Sequence, residues 1–74
     1  MERSTVGRVL WLAAANEDFR NRVIENMGMA LAQEGFLLTD AEMAQMRAWW
    51  DEIRNLSARG AAERIQALAR SYRH

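Results

Sequence analysis

Between two apolar helical patterns stands Glu34-Gly35-Phe36-Leu37-Leu38-Thr39-Asp40-Ala41-Glu42-Met43, a stop, a plug and a start in one short stretch. Gly35 can take the left-handed backbone region without Cβ strain, which makes it the natural residue just past a helix end. Thr39 followed three residues later by Glu42 has the capping-box spacing, in which a hydroxyl and a carboxylate each satisfy an otherwise orphaned N–H. Phe36 and Leu38 are too apolar for a solvated link and are expected to plug a shared core. Two helices therefore meet here at a fixed angle.

The rest of the chain leaves few alternatives to helix. It has no Pro, and its four glycines, Gly7, Gly28, Gly35 and Gly60, are spaced like helix punctuation. Ala, Leu, Met, Glu, Arg and Gln dominate, all good helix formers. The chain's 74 residues make one domain at most. A chain of this size buries only roughly 60% of its unfolded surface, so its core supplies no more than about 3–5 kcal/mol. A partner or a second copy would add stability by mass action. The expected fold is all-α: a small orthogonal bundle of four to five short helices over residues 1–74, with a C-terminal helix at 61–72 able to stand semi-independently.

Taken in order, Ser4 or Thr5 can cap a first helix to about Ala15, with Val6, Val9, Leu10, Leu12 and Ala13 inward and Trp11 at the stripe's edge. Asn16 reads as a new N-cap, with Glu17 and Asp18 favoured in the first turn by the helix dipole. Phe19, Val23, Ile24 and Met27 form the buried face that follows, with Arg20 and Arg22 on its wetter side. At Asn26-Met27-Gly28 a break is favoured over one helix from Glu17 to Glu34, because an interior glycine costs about 1 kcal/mol against alanine. Asn26 can cap the next piece, which carries Met29, Ala30 and Leu31. After Thr39, Met43, Met46, Trp50, Ile53 and Leu56 keep an apolar stripe. Gly60 is expected to punctuate the end of that helix. A last one, from Ala61 to about Ser71, turns Ile65, Leu68, Ala69 and Tyr72 to one side and Arg64, Arg70 and Arg73 to the other.

Chemistry is sparse in this pattern. No cysteine is present, so disulfides and thiolate metal sites are excluded. The single histidine, His74, is the last residue and has no partner that would make it a base or a ligand. Adjacent carboxylates at Glu17/Asp18 and Asp51/Glu52 diverge on a helix; Glu52 is placed to meet Arg59. No nucleophile constellation, phosphate-cradling loop or metal-ligand spacing occurs. No catalytic residue, metal or cofactor is expected, and the chain reads as a non-enzyme. No apolar run approaches the roughly 20 residues that span a bilayer, and Val6 to Ala15 lacks the form of a signal peptide, so no membrane partner and a cytoplasmic location are expected.

Two features point outward. Neighbouring helical residues diverge by about 100°, so Trp49 and Trp50 cannot both be deeply buried in so small a protein. Either Trp49 lies half-covered on the shoulder of the helix, or it joins Met46, Phe36, Leu38 and Trp11 in an apolar contact surface of the kind proteins use to bind one another. The charge is also uneven. Residues 17–52 carry eight acids and three arginines (−5), and residues 53–74 carry five arginines and one acid (+4), while the whole chain sums to zero. Arg59, Arg64, Arg70 and Arg73 could meet phosphates from a helix-turn-helix-like pair, but zero net charge opposes the long-range field such binding uses. The tail more simply meets the acidic middle or an acidic partner.

The run Ala15-Asn16-Glu17-Asp18-Phe19-Arg20, with Ala30-Leu31-Ala32-Gln33-Glu34-Gly35-Phe36-Leu37-Leu38-Thr39-Asp40-Ala41-Glu42, resembles the LigA-like domain of protocatechuate-type extradiol dioxygenase small subunits. The same pattern is found in leader regions of enzyme-modified peptides, including nitrile-hydratase-related leaders and borosin precursors. The resemblance covers roughly Ala14 to Leu56. It implies a non-catalytic module gripped by a modifying enzyme or covering a catalytic subunit. The sequence departs from a precursor at its end, which is an Arg-rich amphipathic helix with only Ser71 and Tyr72 as candidate modified side chains. Three functions are thus expected in order: a docking module on a partner enzyme, a small DNA-binding regulator, and a homo-oligomer pairing through the Asp40–Leu56 helix.

Overall fold

The computed structural model describes residues 5–72, and these form five helices. The predicted cap at Ser4, and Arg73 and His74, lie outside the described residues. The first three helices are α1 (Thr5–Ala15), α2 (Glu17–Glu25) and α3 (Met27–Gln33), separated by single residues that are both asparagine. Each asparagine leaves the helical region, and its side chain caps the helix that follows: Asn16 Oδ1 accepts from the Phe19 N–H at 3.0 Å and Asn26 Oδ1 from the Met29 N–H at 3.2 Å. Their own N–H groups still close the preceding helices, Asn16 onto the Leu12 carbonyl and Asn26 onto that of Arg22, both at 2.8 Å. The chain thus changes direction twice with no loop. The break expected near Gly28 is made by Asn26, whose side chain offers the backbone an alternative to a continuing helix.

After α3 comes the stretch on which the fold turns. Gly35 has φ +76°, its N–H donates to the Ala32 carbonyl, and the Phe36 N–H reaches back to Leu31. Those two bonds are a Schellman motif, with Phe36 and Leu31 as its apolar pair positions. Helix α4 (Asp40–Ile53) then starts on the expected capping box: the Glu42 N–H donates to Thr39 Oγ1 at 3.1 Å, and the Thr39 N–H to Glu42 Oε1 at 2.9 Å.

The next boundary corrects the sequence reading. Helix α5 spans Ala58–Ser71, so Gly60 lies inside its first turn and does not end α4. Ser57 is the N-cap, its hydroxyl accepting from the Gly60 N–H at 3.1 Å. A serine with a free amide three residues on is a stronger start signal than glycine is a stop. Ending α4 at Ile53 also puts Leu56 in the connection, where it is 42% exposed and leaves the expected stripe.

One core joins all five helices. Val6, Val9, Leu10 and Ala13 of α1, Phe19 and Val23 of α2, Met27, Ala30 and Leu31 of α3, Met46, Trp50 and Ile53 of α4, and Ala61, Ile65, Leu68 and Ala69 of α5 make it up. The α1–α5 contact is the most extensive between elements. Buried Gly7, Ala13, Ala61 and Ala69 on these two helices add little side-chain bulk between them. Arg20, expected on the wet side of α2, has a side chain only 13% exposed. Its Nη1 donates to the Ala13 carbonyl at 3.0 Å, satisfying an acceptor in the last turn of α1 that the helix itself leaves open.

Candidate docking surface

The link between α3 and α4 is fixed at both ends, by the Schellman bonds and by the capping box, and its three apolar residues divide between inside and outside. Phe36 and Leu38 are half-buried against the core, and the Phe36 ring lies 6.1 Å from that of Phe19 at a tilt of 57°. Leu37, between them, is 88% exposed. An extended backbone turns successive side chains to opposite faces, so anchoring the outer two drives the middle one into solvent.

Arg22 holds the base of this link. Its Nη1 donates to Gln33 Oε1 at 3.0 Å, its Nη2 lies 3.5 Å from Glu34 Oε2, and its guanidinium carbon stands 5.7 Å from the Phe19 ring centroid. Its Nε is 3.1 Å from Asp18 Oδ2, a charge contact whose alignment falls short of a hydrogen bond. A side chain rooted on α2 thus ties down the end of α3, beside the aromatic ring against which Phe36 rests. Leu37 is raised between neighbours that are held on both sides.

The other residues expected at a contact surface fare differently. Met46 is fully buried, a core residue with no surface to offer, because the inward stripe of α4 runs through Met46, Trp50 and Ile53. Trp49 sits half-covered on the shoulder, its ring edge-on to Tyr72 at 5.8 Å and 80°. Trp11 is half-buried on another part of the molecule, beside a shallow cavity of about 150 Å³ that Ala14, Gln66, Ala69 and Arg70 complete. Phe36 and Leu38 stay together through the link, while Trp11 borders the cavity between α1 and α5.

The alternative surfaces are also placed. Arg59, Arg64 and Arg70 are exposed along α5. Arg64 Nε lies 3.8 Å from Glu52 Oε1, so Glu52 meets Arg64 and not Arg59, a shift that follows from α5 starting at Ala58. Arg59 instead borders a cavity of about 320 Å³ with Glu17, Arg20 and Asn21. The Ser71 hydroxyl donates to the Ala67 and Leu68 carbonyls at 3.2 and 3.1 Å, while Tyr72 is 36% exposed. Among the described residues no group of three or more acids and histidines is gathered as for a metal ion, and no helix is long and apolar enough to cross a membrane.

Sequence reasoning missed Leu37 and Arg22. Leu37 was legible in principle: three consecutive apolar residues in a link between helices must send the middle one outward once its neighbours face in. Arg22 was not, because its partners at the end of α3, Gln33 and Glu34, lie eleven and twelve residues away beyond the bend at Asn26. No protein-family model matches this chain, and no curated protein or solved structure matches it.

Proposed function

We propose that this chain is a non-catalytic protein–protein interaction module that docks on a partner enzyme, as a precursor leader or an accessory subunit, with Leu37 at the centre of the contact. The observation that carries the reading is an 88% exposed leucine held between two anchored apolar residues in a link closed at both ends by hydrogen bonds. A backbone held before binding loses little conformational entropy on docking, so a leucine presented on this link contributes more affinity than one on a mobile loop. The LigA-like resemblance points the same way, since its strongest residues are those of this link. Phe36 and Leu38 widen the contact, Trp49 remains a second candidate farther along α4 beside Tyr72, and Met46 is no longer part of it. A docking module of this kind works beside a cytoplasmic enzyme.

The test is quantitative recovery from the native cell. Tagged wild-type protein should bring down one enzyme in stoichiometric amount, and Leu37→Asp, with an unchanged circular dichroism spectrum, should not. Recovery of the same enzyme with Leu37→Asp would remove the link from the contact. A concentration-dependent mass for the isolated protein would favour pairing with a second copy instead.

A further inference from the structure

A second site lies away from the link, where the α2–α3 junction faces α4. Glu25, Asn26, Met27 and Gly28 on one side and Arg47, Trp50, Asp51 and Arg54 on the other line a cleft of about 450 Å³. Residues 47, 50 and 51 share one face of α4 by helical spacing, and the C-cap Arg54, still in helical backbone geometry, continues it. Gly28 leaves the opposite wall open, since a Cβ there would meet only Asn26 Oδ1, at 3.9 Å. The volume is that of a small-ligand pocket, which falls at about 300–1,000 Å³.

Two observations give the cleft a chemistry. Trp50 is fully buried, and among the described residues its indole N–H has no acceptor. A buried donor left in this way is uncommon and costly, and an acceptor that reached it from the cleft that Trp50 lines would relieve it. The four charges around it are also not all matched. Arg54 Nη2 lies 3.6 Å from Asp51 Oδ1, whereas Arg47 and Glu25 make no ion pair or hydrogen bond among the described residues. The cleft is therefore lined by one spare cation on α4, one spare anion at the end of α2 and the residue whose buried N–H is unpaired.

We propose that this cleft binds a small zwitterion, a molecule of the amino-acid or dipeptide class. Its carboxylate is held by Arg47 with the Trp50 indole N–H donating, and its ammonium group by Glu25. A simple anion would meet Glu25 and Asp51, and a simple cation would meet Arg47 and Arg54; a ligand carrying both charges satisfies each wall. Trp50 is covered in the free protein, so binding requires side chains around the cleft to shift, a rotamer adjustment common at binding sites. The site does not depend on the role of Leu37.

The experiment follows the Trp50 indole resonance of isotope-labelled full-length protein, assigned through its backbone connectivity, during titration with glycyl-leucine. The N-acetylated and C-amidated forms of the dipeptide are titrated in parallel. A saturable downfield shift with the free dipeptide, absent with the amide and weakened with the acetyl form, is expected. Arg47→Gln and Glu25→Gln, both at exposed positions, should each weaken the apparent affinity by about tenfold, the loss of one charge-assisted contact. No saturable shift, an equal response to all three compounds, or unchanged affinity in both variants would overturn the proposal.

Discussion

Two glycines show how differently the same residue type is used. Gly35 sits at φ +76° with nothing within 4 Å of the place a Cβ would take, so a side chain there meets no clash and suffers only the backbone's left-handed conformation. Gly35→Ala is expected to destabilise by about 1–2 kcal/mol in urea denaturation, the cost of that region for an L-residue. Gly28 lies in the first turn of α3 with room for a methyl group, and alanine there restricts the unfolded chain without straining the folded one. Gly28→Ala should stabilise by about 0.4–1 kcal/mol. A destabilising Gly28→Ala would show that the glycine itself, and not only the Asn26 cap, is needed at the break, and a neutral or stabilising Gly35→Ala would overturn the left-handed role of Gly35. These residues also mark what could be read in advance. Gly35, Thr39, Glu42, Asn16 and Asn26 act through partners within five residues, and each was legible. Arg20 and Arg22 act through partners seven to twelve residues away, which local pattern does not reveal.

At the scale of elements, the links decide where the side chains face. Glycine spacing alone puts the end of α4 too late, because the serine hydroxyl at Ser57 outweighs Gly60 in setting the boundary, and the consequence is physical. With α5 starting three residues early Arg64 stands opposite Glu52, and with α4 ending at Ile53 Leu56 is left in the open. Ser57→Ala should cost about 1 kcal/mol, and Ser57→Asp should recover it, because an aspartate caps as well and suits the helix dipole. Hydrogen exchange gives the local reading: the Gly60 amide, bonded to the serine hydroxyl, should lose protection in Ser57→Ala before the amides of Ile65 and Leu68 do. The 14 residues of α5 close the core against α1, so fraying at this end should be felt in thermal stability as well as locally. By contrast, Arg64→Gln removes an ion pair whose partners are 44% and 62% exposed, and the melting temperature should hardly move.

The whole molecule sets the limit within which these effects count. A single small core supplies no more than about 3–5 kcal/mol, and an Ile→Ala change at a buried site costs about 2–5 kcal/mol. Ile65, fully buried on α5, is therefore a position where alanine should leave little folded protein at room temperature and valine should leave a weakened but folded domain. That weakened domain separates docking from folding. A partner that binds only the folded form adds about 2.7 kcal/mol when present at about 100 times its Kd, more than the roughly 0.5–1.5 kcal/mol that Ile65→Val removes. Partner added to Ile65→Val should restore its melting temperature to the wild-type value or beyond. The double variant Ile65→Val with Leu37→Asp should start from the same lowered temperature and gain nothing, because Leu37 is outside the core and contributes only to the contact. If the partner rescued both variants equally, docking would run through some other face, and the exposed leucine would be an ordinary feature of the surface.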